Sequence, residues 1–112
     1  MSQPNRLLAD DLHDRAQAID NDDDEALRLY HAALRLDPDR PATLYNIGLI
    51  HKYRGEWEQS LAFNRRSVEL APQDESTNWN LAIAATALRD WRTARRAWRR
   101  LDMPIENGDA PI

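Results

Sequence analysis

Apolar residues recur three and four places apart through most of this 112-residue chain, the spacing of amphipathic helices rather than of strands. Leu44, Ile47, Gly48 and His51 follow i, i+3, i+4, i+7, and Gly55 in Arg54-Gly55-Glu56 supplies a turn. The next helix places Ser60, Phe63 or Asn64, Ser67 and Val68 on its inner face, and Pro72 stops it. Leu81, Ala82, Ala85 and Leu88 repeat the first pattern, Arg89-Asp90 makes a turn, and Ala94, Ala97, Trp98 and Leu101 repeat the second. Towards the N-terminus, Ala26, Tyr30, Ala33, Leu34 and Pro38 mark the second helix of another pair. Its first helix, with Leu8, Leu12, Ala16 and Ile19, fits only if the turn Asp20-Asn21-Asp22-Asp23-Asp24 is about one residue longer.

A fixed period joins these pairs. Leu34-Arg35-Leu36-Asp37-Pro38-Asp39 aligns with Val68-Glu69-Leu70-Ala71-Pro72-Gln73 at an offset of 34. The same offset carries Ala26 to Ser60 to Ala94, Ala33 to Ser67 to Leu101, and Trp57 to Trp91, and it matches Leu44-Tyr45-Asn46-Ile47-Gly48 to Asn78-Trp79-Asn80-Leu81-Ala82. Small residues at Gly48, Ser60, Ala82 and Ala94 stand where two helices of a pair must cross closely, and larger side chains there push them apart.

The period and these small-residue positions resemble the tetratricopeptide repeat, with departures early in each first helix, where Leu44 and Asn78 precede the aromatics Tyr45 and Trp79 by one place. The resemblance implies an all-α fold: a right-handed superhelical stack of about three helix-turn-helix pairs, an α-solenoid. Its units run approximately over residues 7–40, 41–74 and 75–101, after an N-terminal tail (1–6) and before an extended linker or arm (102–112). It also implies a concave groove, lined by the first helix of each pair, that holds a peptide or protein partner. By position the groove residues are Tyr45, Asn46, Leu49, Lys52 and Tyr53 from the second unit and Trp79, Asn80, Ile83 and Thr86 from the third. Aromatics offer large rigid contact area, and each asparagine has a donor and an acceptor for a peptide backbone. One subgroup of the family grips the terminal carboxylate of chaperone tails with Lys, Asn and Arg. Here the matching places hold Asp10 or Asp11, Asp14 or Arg15, Asn46, Ser76 and Asn80, and only Asn46 agrees, which argues against that ligand.

Composition narrows the function classes. The formal net charge is -4, unevenly spread: residues 1–40 hold ten acids against five arginines, and residues 85–101 hold six arginines against Asp90. Overall acidity argues against nucleic acid, and Arg92, Arg95, Arg96, Arg99 and Arg100 read as a solvated or protein-docking face of the last helix. With no cysteine, disulfides and thiolate metal sites are excluded. Asp20, Asp22 and Asp24 alternate as in a calcium loop, but Glu25 and His31 stand where that loop needs glycine and glutamate, so no metal is expected. His13, His31 and His51 fall in different units without ligand spacing, and no catalytic set or cofactor site is expected; His51 reads as a packed residue. A chain with no signal-like N-terminus and no run of about 18 apolar residues is expected to be cytoplasmic, without membrane contact.

The expected function is therefore an interaction scaffold or adaptor. The alternative is a self-assembly module. No polar capping helix follows Leu101, and Asp102 to Ile112 carries two prolines and a glycine, so Trp98 and Leu101 are expected to be uncovered unless Met103, Ile105 or Ile112 folds over them. Either the chain is part of a longer protein, or copies form homo-oligomers through uncapped ends or through acidic first and basic last units.

Overall fold

The structure, a computed structural model, describes residues 3–102. Six helices follow one another there: α1 (Gln3–Gln17), α2 (Asp23–Leu36), α3 (Pro41–Tyr53), α4 (Trp57–Leu70), α5 (Glu75–Ala87) and α6 (Trp91–Arg100). Each packs on the next and α3 also meets α5, which gives the all-α stack of three pairs that the period predicts. Among the described residues no helix is long and apolar enough to cross a membrane.

Local chemistry sets the helix ends. Asp22, Asp74 and Asp90 are N-caps whose carboxylates accept from the backbone N–H groups of Glu25 (3.0 Å), Thr77 (2.9 Å) and Thr93 (3.3 Å). Pro41 opens α3, where its missing N–H costs nothing. Inside each pair the chain reverses through one left-handed residue: Asn21 (φ 65°), Gly55 (φ 71°) and Arg89 (φ 60°), spaced by the same 34 places.

The structure corrects the reading of α1. Residues 3–6, expected as tail, form its first turn, where Pro4 lacks only an N–H that has no intrahelical partner. Its inner face is Ala9, Leu12, His13 and Ala16, while Leu8 is 55% exposed. The cause is His13, which occupies the crossing position and packs edge-on to Tyr30 with ring centroids 5.4 Å apart. The extra residue of the first pair lies after Gln17, and Asp23 and Asp24, expected in the turn, already belong to α2. The arm expected after Asp102 lies outside the described residues.

Two apolar clusters share the core. The first joins Ala16, Ala26, Leu29, Tyr30 and Ile47; the second joins Val68, Leu81, Ala82, Ala85, Ala94, Ala97 and Trp98. The middle pair straddles both, because Ile47 of α3 belongs to one and Val68 of α4 to the other. Polar side chains fill the seam. Ser67 Oγ donates to the Pro41 carbonyl (2.9 Å), His13 Nδ1 shares a hydrogen bond with Thr43 Oγ1 (2.8 Å), and Asn64 Nδ2 donates to the Ser60 carbonyl (2.9 Å). Trp98, expected to be uncovered, is 1% exposed and stands edge-on to Trp79 at 5.1 Å, and Leu101 is half-buried.

Candidate functional site

The nine residues expected in the groove lie on α3 and α5, two helices that touch each other directly. Tyr45 and Trp79 occupy equivalent places on the two helices, and both line a cleft of about 300 Å³ with Glu75, Ser76, Asn80 and Leu101. A second cleft of about 340 Å³ shares Tyr45 and Ser76 and is bordered by Pro41, Ala42, Ala71, Asp74 and Thr77. Trp79 keeps 45% of its surface exposed although it packs on Trp98, so the ring is both anchored and available.

The amides are less free than their sequence positions imply. Asn80 is 4% exposed, and its Oδ1 accepts a hydrogen bond from Lys52 Nζ at 3.0 Å, which ties α3 to α5. Asn46 is hydrogen-bonded to the Tyr30 hydroxyl, a phenol whose pKa burial pushes up. Leu49 and Ile83 are half-buried, and Ile83 packs on the second cluster. Thr86 is half-buried, and its hydroxyl has no partner among the described residues. Tyr53 is 75% exposed, with the Lys52 ammonium 5.7 Å from its ring centroid. Of the nine expected residues, the accessible ones are thus Tyr45, Trp79 and Tyr53 with the edges of Leu49 and Ile83.

Sequence reasoning left the α1 share of this surface open by one place, as Asp10 or Asp11 and Asp14 or Arg15. His13 takes the crossing place that Gly48 and Ala82 take in the later pairs, so α1 aligns with α3 at an offset of 35 rather than 34. That register puts Asp10, Asp11 and Asp14 where the later helices carry Tyr45 and Trp79, Asn46 and Asn80, and Leu49 and Ile83. Asp10 is ion-paired to Arg40 at 2.8 Å and Asp11 to Arg15 at 3.8 Å. The signal that locates them is the crossing residue rather than the leucines, and a histidine in that role has no periodicity to show it.

Two histidines placed in different units by sequence come together on one ring. His51 stacks on Phe63 and His31 meets the same ring edge-on, both at 5.7 Å. His51 Nδ1 also bonds Glu56 at 2.9 Å. His31 is held below its ordinary pKa of 6.5 by burial, then by the nearby His51 and Arg35. These contacts join α2, α3 and α4.

No protein-family profile matches the chain. It is similar to proteins named Photosystem I assembly protein Ycf3. The one from Rippkaea orientalis (strain PCC 8801 / RF-1) is 45% identical over 62 residues, covering 53% of this chain and 36% of that protein. The one from Cyanophora paradoxa is 40% identical over the same length and coverage, and the one from Acaryochloris marina (strain MBIC 11017) is 32% identical over 78 residues, 55% of this chain and 47% of that one. The matched stretch is therefore about a third to a half of the length of these relatives. Among solved structures, the crystal structure of the Sgt2 TPR domain from Aspergillus fumigatus superposes with a TM-score of 0.70 at 21% identity, covering 82% of this chain and 62% of that one.

Proposed function

This chain folds as a tetratricopeptide-repeat stack of three helix pairs, and from that premise we propose that it is a non-catalytic scaffold that holds a polypeptide segment against α1, α3 and α5. The observation that carries this reading is Trp79: a large apolar ring fixed against Trp98, nearly half exposed, and facing Tyr45 across a cleft. A rigid aromatic anchor beside a pocket is how interfaces concentrate binding energy. The relatives' name, an assembly protein for photosystem I, agrees with a scaffold that brings subunits of a larger complex together. The histidines support this non-catalytic reading, since each is used in packing.

The experiment is capture from source-cell lysate by the purified chain, beside a Tyr45→Ala, Trp79→Ala variant whose helicity is verified by circular dichroism. A partner retained by the natural chain and lost by the folded variant supports the groove. A partner indifferent to both substitutions moves the site elsewhere.

Self-assembly through an apolar end is the alternative reading, and the repeat period argues against it. The face that α2 and α4 turn to the next pair carries Leu27 and Leu34, then Leu61 and Val68; at the same period stand Arg95 of α6 and Asp102, in the turn after it. The period thus places charged residue types where the earlier pairs carry hydrocarbon.

A further inference from the structure

The partner's chemistry can be read from the groove, an inference that rests on the scaffold reading above. The cleft between Tyr45 and Trp79 includes one carboxylate, Glu75, and no cation. Asp74, next to it, is occupied as the cap of α5, accepting from the Thr77 backbone and hydroxyl. The Glu75 carboxylate has no hydrogen-bond or ion-pair partner among the described residues. Two aromatic rings beside an unpaired carboxylate form a receptor for a cation with an aliphatic stem. The stem covers the rings, the charged head is attracted to their faces, and the carboxylate accepts its N–H groups.

A second observation points the same way from a different helix. The register fixed by His13 puts Asp10, Asp11 and Asp14 at the groove positions of α1. The cation among the groove positions of α3 and α5 is Lys52, and it is already engaged by Asn80 Oδ1 at 3.0 Å. Asp10 is paired with Arg40 and Asp11 only loosely with Arg15 at 3.8 Å, while Asp14 has no ion pair among the described residues, so carboxylates stand at both ends of the path a segment takes from α5 to α1 and favour a basic segment over an acidic one.

We propose that the groove binds a basic polypeptide segment, with one Lys or Arg side chain seated between Tyr45 and Trp79 on the Glu75 carboxylate and a second directed to Asp11 and Asp14. Packed helices lie about 8–10 Å apart, and an extended chain advances about 3.3 Å per residue. The two cations are then separated by about four to six residues.

A library of random decapeptides displayed on phage, selected at low salt on the purified chain, tests this. The expected result is enrichment of sequences with two cations at that spacing. A fluorescein-labelled synthetic copy of the most enriched peptide loses about tenfold or more in affinity, by fluorescence anisotropy, when Glu75→Lys replaces the natural chain. Glu75 is exposed in the first turn of α5, so circular dichroism should find the variant folded. Enriched peptides that are neutral or acidic, yet lost with Tyr45→Ala, Trp79→Ala, overturn the basic partner and leave the groove standing. Peptides indifferent to those two substitutions, or no enrichment at all, overturn the groove reading as well.

Discussion

Asn21, Gly55 and Arg89 adopt one backbone conformation at the three turns within pairs, and glycine alone does so without a steric penalty. The left-handed region brings a Cβ close to the following carbonyl, at a cost of about 1–2 kcal/mol for most residues and less for asparagine. Arg89 bears this cost, while nothing lies within 4 Å of a Cβ added to Gly55, so strain rather than space decides both sites. Arg89→Gly is expected to stabilise the fold by about 0.5–1 kcal/mol after the extra freedom that glycine gives the unfolded chain is offset. Gly55→Ala should lose about 1 kcal/mol. Urea midpoints at constant slope measure both. A destabilising Arg89→Gly would mean that the arginine side chain outweighs its own strain.

At the scale of elements, one problem is solved three ways. Where the two helices of a pair cross, the first pair sets His13 against Tyr30, the second Gly48 against Asn64, and the third places Ala82 and Trp98 in one cluster. A small residue on one helix permits a large one on the other, so the sum rather than either identity is what the crossing fixes. A Cβ added at Gly48 meets Asn64 Nδ2 at 2.7 Å, and that amide is held by the Ser60 carbonyl and hydroxyl at 2.9 and 3.2 Å. Gly48→Ala is therefore expected to cost about 1–3 kcal/mol. With Asn64→Ala already in place the clash is gone, and alanine's better helix propensity, worth about 1 kcal/mol, should make the same change stabilising. A double-mutant cycle in urea reads this reversal of sign; additive effects would show that the two residues do not share the space. The later pairs were legible in sequence because Gly48, Ala82, Ser60 and Ala94 are small at a fixed period. The first was misread by one place because apolar periodicity favoured Leu8, and the residue that fixes the crossing is a histidine whose Thr43 partner lies 30 places away.

Over the whole molecule, the same histidines set how the first pair is attached to the rest. His13 links α1 to α3 through Thr43, and His31 links α2 to α4 through Phe63. Both are held below their ordinary pKa of 6.5, first by burial, then by Arg40 for His13 and by His51 and Arg35 for His31; Asp14 and Asp10 act the other way on His13. A lowered pKa means that below about pH 6.5 the unfolded chain binds more protons than the folded one, so their stabilisation is present above that pH and lost as pH falls. The loss falls on the first cluster, and a separate observable reports the second, because all four tryptophans lie at or after residue 57. Two clusters joined through one middle pair should unfold together at pH 7.5, with circular dichroism and tryptophan fluorescence giving one urea midpoint. At pH 5.5 both midpoints should fall, and the helical signal should be lost at lower urea than the fluorescence, since α1 and α2 come away before Trp79 and Trp98 are exposed. His13→Gln with His31→Gln lowers stability at pH 7.5, where packing is lost, but should remove most of the pH dependence and the gap between the probes. Midpoints that stay coincident at pH 5.5 in the natural chain would mean that the middle pair couples the clusters more strongly than protonation loosens them, and a gap that survives in the double variant would place its origin in the carboxylates of α1 instead.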